Sequence, residues 1–478
     1  MEVPTGLSAR LLLAGDAADD PPQARAARLL AVALRSRHPA ALEALTMACG
    51  SGRGPGALAS SLLAGEPLPA ATTVPRATLP FTVALATAWA ATGEPGALAA
   101  AVEIYRQVLG RHGPQGLRGV EQRHYLQAAY LAGRTDLVRE GLATLEGVTA
   151  DVAEGLRADL LNPYVADPSP AGGGPLGDGS GDRVDPAAHR DWVGVLGSRF
   201  RRRDLTGPEV DPDGDSLFDG LHLAPGRSVD GPLISVVVPA FRPDAGLLTS
   251  VRSVLEQSYG AVEVIVVDDA SGEDYLEVFE ACAALDGRVR VLRQERNGGA
   301  YVARNRALTL ARGRFVTTQD ADDWSHPERL ALQVEALAEH PEAVASRSVA
   351  IRARPDLTRQ WFGYRPERMN ASSLLVRREV FDRVGPFDTL RKGADSEFVE
   401  RLRLVGLVQD VVAPLAVTRL AAGSLSRADF AWGWHHPDRV LFRNAFRHWH
   451  ARVRSGEDSL PLRRNGSRPY AVPRRFRV

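Results

Sequence analysis

The chain has 478 residues, 44% hydrophobic and 24% charged, which gives material for a sizeable core and suggests two to three domains. Basic and acidic residues balance at 58 each, so the formal net charge is zero; this excludes general nucleic-acid affinity and leaves only local patches. The two cysteines, Cys49 and Cys282, lie far apart in apolar, helix-like contexts, which excludes a disulfide framework and suits buried thiols in a reducing compartment.

No uninterrupted apolar run reaches the ~18 residues that a membrane-spanning helix needs. The start, Met1-Glu-Val-Pro-Thr5, lacks the basic character of a secretory signal. A cytoplasmic location is therefore expected.

Residues 1–165 read as helical. Leu85, Trp89, Leu98, Val102, Tyr105, Val108 and Leu109 recur at helical spacing around a break at Gly93-Glu-Pro-Gly96. A second pair runs from Tyr125 to Leu131 and, after Gly133, from Leu137 to Leu145. Such pairs resemble tetratricopeptide-type repeats, a plain helical bundle being the alternative, and they would suit a protein partner. Residues 166–231 read as a flexible linker followed by a bridging segment. Its Pro168-Ser-Pro-Ala-Gly-Gly-Gly-Pro175 core is rich in proline and glycine, and Trp192, Phe200, Leu217 and Phe218 follow among charges.

From residue 232 to about 430 strands and helices alternate. Leu233–Val238 is a strand closed by Pro239, with a helix on Leu247, Val251, Val254 and Leu255. Val262–Val267 is the second strand and ends in Asp268-Asp269; Tyr275–Leu285 is helical, and Val289–Leu292 is the third strand. A helix over Tyr301–Ala311 leads to a fourth strand, Phe315–Thr318, and Ser325 with Glu328 form a capping-box pattern for a helix through Leu337. Repeated βα units predict a mostly parallel sheet with its site at the strands' carboxyl ends.

Asp320, Asp322 and Asp323 crowd three carboxylates into four positions at the end of the fourth strand. Such groups repel one another unless a cation neutralises them, and Mg²⁺ or Mn²⁺ commonly shares carboxylates with substrate phosphates. The pattern predicts a metal–diphosphate site, with Asp269 at a neighbouring strand end of the same crevice. The first turn, Pro239-Ala-Phe-Arg-Pro243, has no glycines, which disfavours a dinucleotide fold, and no Gly-x-x-x-x-Gly-Lys phosphate loop exists.

Five segments in order resemble the family 2 glycosyltransferases: Ser235-Val-Val-Val-Pro-Ala-Phe-Arg242, Val266-Val-Asp-Asp-Ala-Ser271, Asn297-Gly-Gly-Ala-Tyr-Val-Ala-Arg-Asn305, Asp320-Ala-Asp-Asp323 and Gly393-Ala-Asp-Ser-Glu-Phe398. The likeness covers roughly residues 232–425. It implies an α/β fold, the A-type glycosyltransferase domain (Rossmann-like, with a mostly parallel sheet), preceded by an all-α domain. It also implies an inverting transfer from a nucleoside-diphosphate sugar to a hydroxyl acceptor, a glycan or lipid-linked glycan.

Position by position, the resemblance implies a base-binding wall at Pro239, Ala240 and Phe241. Asp269 is expected to bond the nucleobase, with Asp268 holding the loop. Asp320 and Asp322 match the Asp-x-Asp motif, and Asp322 or Asp323 would bind Mn²⁺ or Mg²⁺. Arg304 would face the phosphates, and Asp395 would be the catalytic base, although the family's usual Glu-Asp pair is here Ala394-Asp395. Ala421-Ala-Gly-Ser-Leu-Ser426 keeps the family's Ser-Leu-Ser without its histidine.

Each position has a plainer alternative: a turn for Asp268 and Asp269, a helix start for Asp320–Asp323, a solvated helix face for Arg304 and an N-cap for Asp395. Met369-Asn-Ala-Ser-Ser-Leu-Leu-Val376 reads as a loop that either lines a sugar pocket or simply turns. Residues 431–478 read as a helix and a basic tail, with nine arginines against two acids from Arg447 onward. They suit peripheral contact with an anionic membrane or, alternatively, a cover for the sheet edge. Two other functions stay open from sequence: a sugar nucleotidyltransferase, and a non-catalytic scaffold that binds nucleotide-sugars.

Overall fold

The computed structural model describes residues 20–50, 53–66, 68, 78–165, 184–420, 430–462 and 468–478. The linker core at 168–175 and the segment 421–426 lie outside them. The described chain forms two compact units. One contains the chain up to Trp192, Thr358–Pro366 and the described part of Arg427–His435; the other contains Val193–Leu357 and the described parts of Glu367–Ser426 and His436–Val478.

The first unit is built from α1 (Pro22–Ser36), α2 (Pro39–Ala48), α3 (Pro55–Leu63), α4 (Leu79–Ala90), α5 (Pro95–His112), α6 (Gly119–Leu131), α7 (Thr135–Thr144) and α8 (Ala150–Leu161). Every residue of α4 from Phe81 to Ala90 is buried, as expected for a central helix rich in small residues that let its neighbours approach closely. Thr358–Pro366 joins this unit through polar anchors. The Asp159 carboxylate accepts from the Arg359 backbone N–H and the Gln360 amide, and the Gln127 amide bonds Gly363 N and Tyr364 O.

The division between units falls inside α9 (Pro186–Leu196). The second unit therefore starts well before residue 232, where the sequence pattern places the domain boundary. The reason is burial: Phe200 on α10 (Ser198–Arg201), Leu217 and Phe218 are fully covered, and β1 (Glu209–Val210) pairs with β2 (Leu221–His222).

The alternation of strand and helix gives β3 (Ile234–Ala240), α11 (Gly246–Leu255), β4 (Val262–Asp268), α12 (Leu276–Ala284), β5 (Val289–Arg293), α13 (Ala300–Leu308), β6 (Phe315–Thr318) and β7 (Trp324–Ser325). Then follow α14 (Arg329–Glu339), β8 (Ala343–Ala353), β9 (Glu367–Met369), β10 (Leu375–Arg377), α15 (Val380–Val384), α16 (Ala394–Leu402), β11 (Leu407–Arg419), the hairpin β12 (Phe430–Ala431) and β13 (Trp434–His435), and α17 (Pro437–Ser455). The hairpin belongs to the first unit, and the remaining elements of this series to the second.

The main sheet runs β5-β4-β3-β6-β10-β8-β11-β7, with β9 on β8. Strands β3, β4, β5 and β6 are mutually parallel, whereas β7, β9 and β10 run antiparallel to their neighbours. Val236 and Val238 enter one core and Val237 another, so β3 is covered on both faces and reads as an unbroken apolar run. This bears out the α/β, mostly parallel expectation.

Two local expectations change. Strand β3 continues through Pro239 to Ala240 in register with β4. Ser325 caps no helix: it pairs in β7 with Ala416 of β11 and donates its hydroxyl to Gln319 Oε1, while α14 begins at Arg329 without a side-chain cap. Tertiary pairing has overridden a local capping pattern.

Helix α17 and the tail are part of the second unit's core. Phe442, Phe446, Trp449, Tyr470 and Phe476 are buried with Phe398 of α16, and Asp388 accepts from Arg468 and from the Tyr470 hydroxyl at 2.8 Å. Cys49 and Cys282 are free and buried, which pushes their thiols up to about 12 and about 11. Among the described residues no helix is long and apolar enough to cross a membrane.

Candidate active site

From β3 the chain builds outward to β4 and β5, then returns to place β6 on the other side of β3. The carboxyl ends of β3 and β6 therefore flank a topological switch point, where an open α/β sheet leaves a crevice. Phe241 follows β3 there, and the acidic cluster follows β6. Of the expected base wall, Pro239 and Ala240 are buried strand residues, and Phe241 is 46% exposed.

Asp268 ends β4 and accepts the Ser271 backbone N–H at 2.8 Å. The Ser271 hydroxyl in turn accepts the Arg242 N–H at 2.8 Å. Arg242 and Ala270 both adopt left-handed backbone (φ 49° and 61°), a strain of about 1–2 kcal/mol each that this cross-link sustains. Asp269 is turned into the Asn297-Gly-Gly loop. Its carboxylate accepts from Gln294 Nε2 at 2.5 Å and from the Gly298 and Gly299 N–H groups at 2.8 and 2.7 Å. Burial pushes this carboxyl up against the pull of those donors. Gly299 (φ 80°) starts α13, a conformation that favours glycine.

Helix α13 then organises the crevice. Tyr301 and Arg304 are one turn apart and so share a face. The Tyr301 hydroxyl donates to Asp395 Oδ1 at 3.0 Å, and Arg304 Nη2 donates to Asp320 Oδ1 at 2.7 Å. Arg304 is buried against the Tyr301 and Phe387 rings, so its charge is engaged by Asp320 and does not point outward. Ser372, in the loop before β10, donates to Asp320 Oδ2 at 2.5 Å. Asp320 is thus neutralised by protein partners.

Asp322 differs. It is half-buried, and its carboxylate takes no side-chain donor among the described residues. Burial first, then the charges of Asp320 and Asp244, push its carboxyl up to about 6 against the pull of Arg419. Asp323 is buried and accepts the Arg419 backbone N–H at 2.9 Å; burial and its two acidic neighbours push it well above the carboxylate range. Arg419 lies over the Phe218 ring and pairs with Asp219, which ties the segment before β3 into the crevice wall.

Among the described residues no three His, Cys, Asp or Glu side chains converge to hold a metal ion. A Mg²⁺ or Mn²⁺ that also takes phosphate oxygens needs only one or two protein carboxylates. Asp322 fits that demand, being raised and without a side-chain donor. Asp320 and Asp323 are already engaged.

Asp395 sits half-buried in the first turn of α16, where the N-cap is Gly393 (φ 85°). Asp395 therefore does not cap the helix. A side chain at Gly393 would press on Phe442 and Phe476. The helix is anchored beneath by Glu397, fully buried, which bonds Arg401 at 2.9 Å and His450 of α17 at 3.0 Å. Sequence patterning missed Tyr301, Ser372, Arg419 and this triad; only the chemistry of the loop before β10 hinted at Ser372.

Residues 235–398 match the family model described as Glycosyl transferase family 2. The putative teichuronic acid biosynthesis glycosyltransferase TuaG of Bacillus subtilis is 33% identical over 144 residues, 30% of this chain and 57% of that protein. Glycosyltransferase GlyG of Streptococcus pneumoniae is 43% identical over 91 residues, 19% of this chain and 30% of that protein. The chain thus spans less than two thirds of the length of these relatives. A crystal structure of S. aureus TarS residues 1–349 with UDP-GlcNAc aligns at a TM-score of 0.34 and 21% identity, covering 41% of this chain and 61% of that one, too partial a likeness to carry an argument. By the family match and the ordered motifs at the strand ends, residues 235–398 are similar to the glycosyl transferase family 2.

Proposed function

We propose that the protein is a metal-dependent, inverting glycosyltransferase that moves a sugar from a nucleoside-diphosphate donor to a hydroxyl acceptor in the assembly of a cell-surface polysaccharide. The observation that carries this reading is the convergence on one helix, α13, of the loop gripped by Asp269, the Asp320 pair and Asp395. The similarity to TuaG and GlyG supports the transferase class, and the teichuronic acid biosynthesis in TuaG's name supports the polysaccharide setting.

Phe241 offers an exposed ring on which a base can stack. Asp269 sets the loop that starts α13, and a base contact through its remaining lone pairs belongs to this proposal. Asp322 would hold the divalent ion, which when bound offsets charge building on the departing diphosphate. Asp395 takes the proton from the acceptor hydroxyl; that oxygen bonds the anomeric carbon from the opposite face as the bond to the diphosphate breaks and its electron pair leaves with the phosphate. The Arg304–Asp320 pair and Ser372 keep the floor rigid and leave Asp322 as the open acid. The test is nucleoside-diphosphate release from a panel of nucleotide-sugars with Mn²⁺, with and without hydroxyl acceptors. Donor-specific, acceptor-stimulated release supports the reading; pyrophosphate release from a sugar phosphate and a nucleoside triphosphate would replace it.

A further inference from the structure

We propose that Tyr301 is a positioning residue for Asp395: its hydroxyl occupies Oδ1 and leaves Oδ2 as the oxygen that receives the acceptor's proton. This rests on the reading of Asp395 as the base. Tyr301 Oη lies 3.0 Å from Oδ1 and is the donor, because an ionised carboxylate only accepts. The ring is 7% exposed, with the Arg304 guanidinium 5.1 Å from its centroid and the Phe387 ring tilted against it at 6.1 Å. Phe387 is itself pinned, its N–H and C=O both bonded to the Asn305 amide at 3.0 and 2.8 Å. The hydroxyl thus has a fixed point of origin on α13.

Burial first, and the Asp395 charge second, push the phenol far above its ordinary range, so it keeps its proton through the working pH and donates it to Oδ1, while the Asp395 backbone N–H faces the phenol oxygen. The charged groups around Asp395 are consistent with this. From α13, Tyr301 and Arg304 face it; on its own helix, Glu397 is turned away onto Arg401 and His450. A carboxylate on the first turn of a helix can otherwise swing between rotamers and offer either oxygen to solvent or substrate. One bond from a buried phenol removes that freedom at the cost of one acceptor site.

The test compares wild type, Tyr301→Phe, Asp395→Asn and the double variant, all as the full chain. Tyr301→Phe keeps the ring and its packing, so the melting temperature should stay within a few degrees. Its kcat should fall about tenfold with the donor KM within about twofold, as loss of a charge-assisted bond felt in the transition state predicts. Infrared difference spectra of ¹³C-aspartate-labelled protein should show a shifted carboxylate stretch on removing the hydroxyl, and no shift when the same change is made in Asp395→Asn. An unchanged kcat, or an infrared spectrum indifferent to Tyr301, would overturn the proposal. If wild type transfers no sugar, the role of Oδ2 falls with the transferase reading, and the infrared comparison still shows whether the contact exists.

Discussion

Arg304 Nη2 lies 2.7 Å from Asp320 Oδ1, so a helix residue 16 positions upstream neutralises the first carboxylate of the acidic cluster. The guanidinium is buried and the carboxylate is only partly so, which makes the pair structural first and electrostatic for the site second. Replacing Arg304 by Met leaves Asp320 beside Asp322 with only Ser372 as a donor. The expected loss of stability is about 2–3 kcal/mol, read by urea denaturation, with Arg304→Lys falling between because it lacks the planar fork.

Asp322 should report the charge crowding through pH. Its folded-state pKa of about 6 lies above the ordinary 3.8, so the fold disfavours the ionised form. That penalty is absent below the ordinary value, grows as pH rises towards 6 and is complete above it. Asp322→Asn should therefore raise the metal-free melting temperature by a few degrees at about pH 8 and give no gain at about pH 4. The same variant should lose the additional stabilisation that Mn²⁺ gives wild type in the presence of a nucleoside diphosphate. Thermal melts across pH, with and without Mn²⁺, check both.

Phe241 is the exposed apolar surface at the end of β3. A base stacked there is worth about 1–3 kcal/mol, so Phe241→Ala should weaken nucleoside-diphosphate binding roughly 5- to 150-fold. The loss should be the same for the diphosphate with or without its sugar, as titration calorimetry can show, because the ring touches neither phosphate nor sugar in this reading.

Glu397 is completely buried between Arg401 and His450. Glu397→Ala strands a buried guanidinium and should cost about 3–5 kcal/mol in denaturant unfolding. Asp395→Asn, two positions earlier and half-buried, should cost far less. Comparable losses for the two would mean that Asp395 serves the fold.

The strands, their order of appearance and the carboxylates at their ends were legible because β-branched runs and strand-end acids are local signals. Contacts between distant segments were not. Tyr301 and Asp395 are 94 positions apart, and Arg419 and Asp219 are 200 apart, so no spacing rule could join them. Ser325 carried a helix-start pattern, yet β11 claimed it as a strand partner. Phe200, Leu217 and Phe218 sit among charges and lack periodicity, which hid the fact that the second unit begins with them. The division of labour within the acidic cluster was hidden too, because three clustered aspartates look alike until Arg304, Ser372 and the Arg419 N–H select which ones are engaged.

The central claim is that Asp395 removes a proton from an acceptor while the rest of the crevice holds the donor. It is tested most directly by measuring Mn²⁺-dependent sugar transfer and donor binding side by side in wild type and Asp395→Asn. Donor affinity within about twofold and turnover reduced by at least about a hundredfold is the result expected for a lost general base. Normal turnover by Asp395→Asn would contradict it.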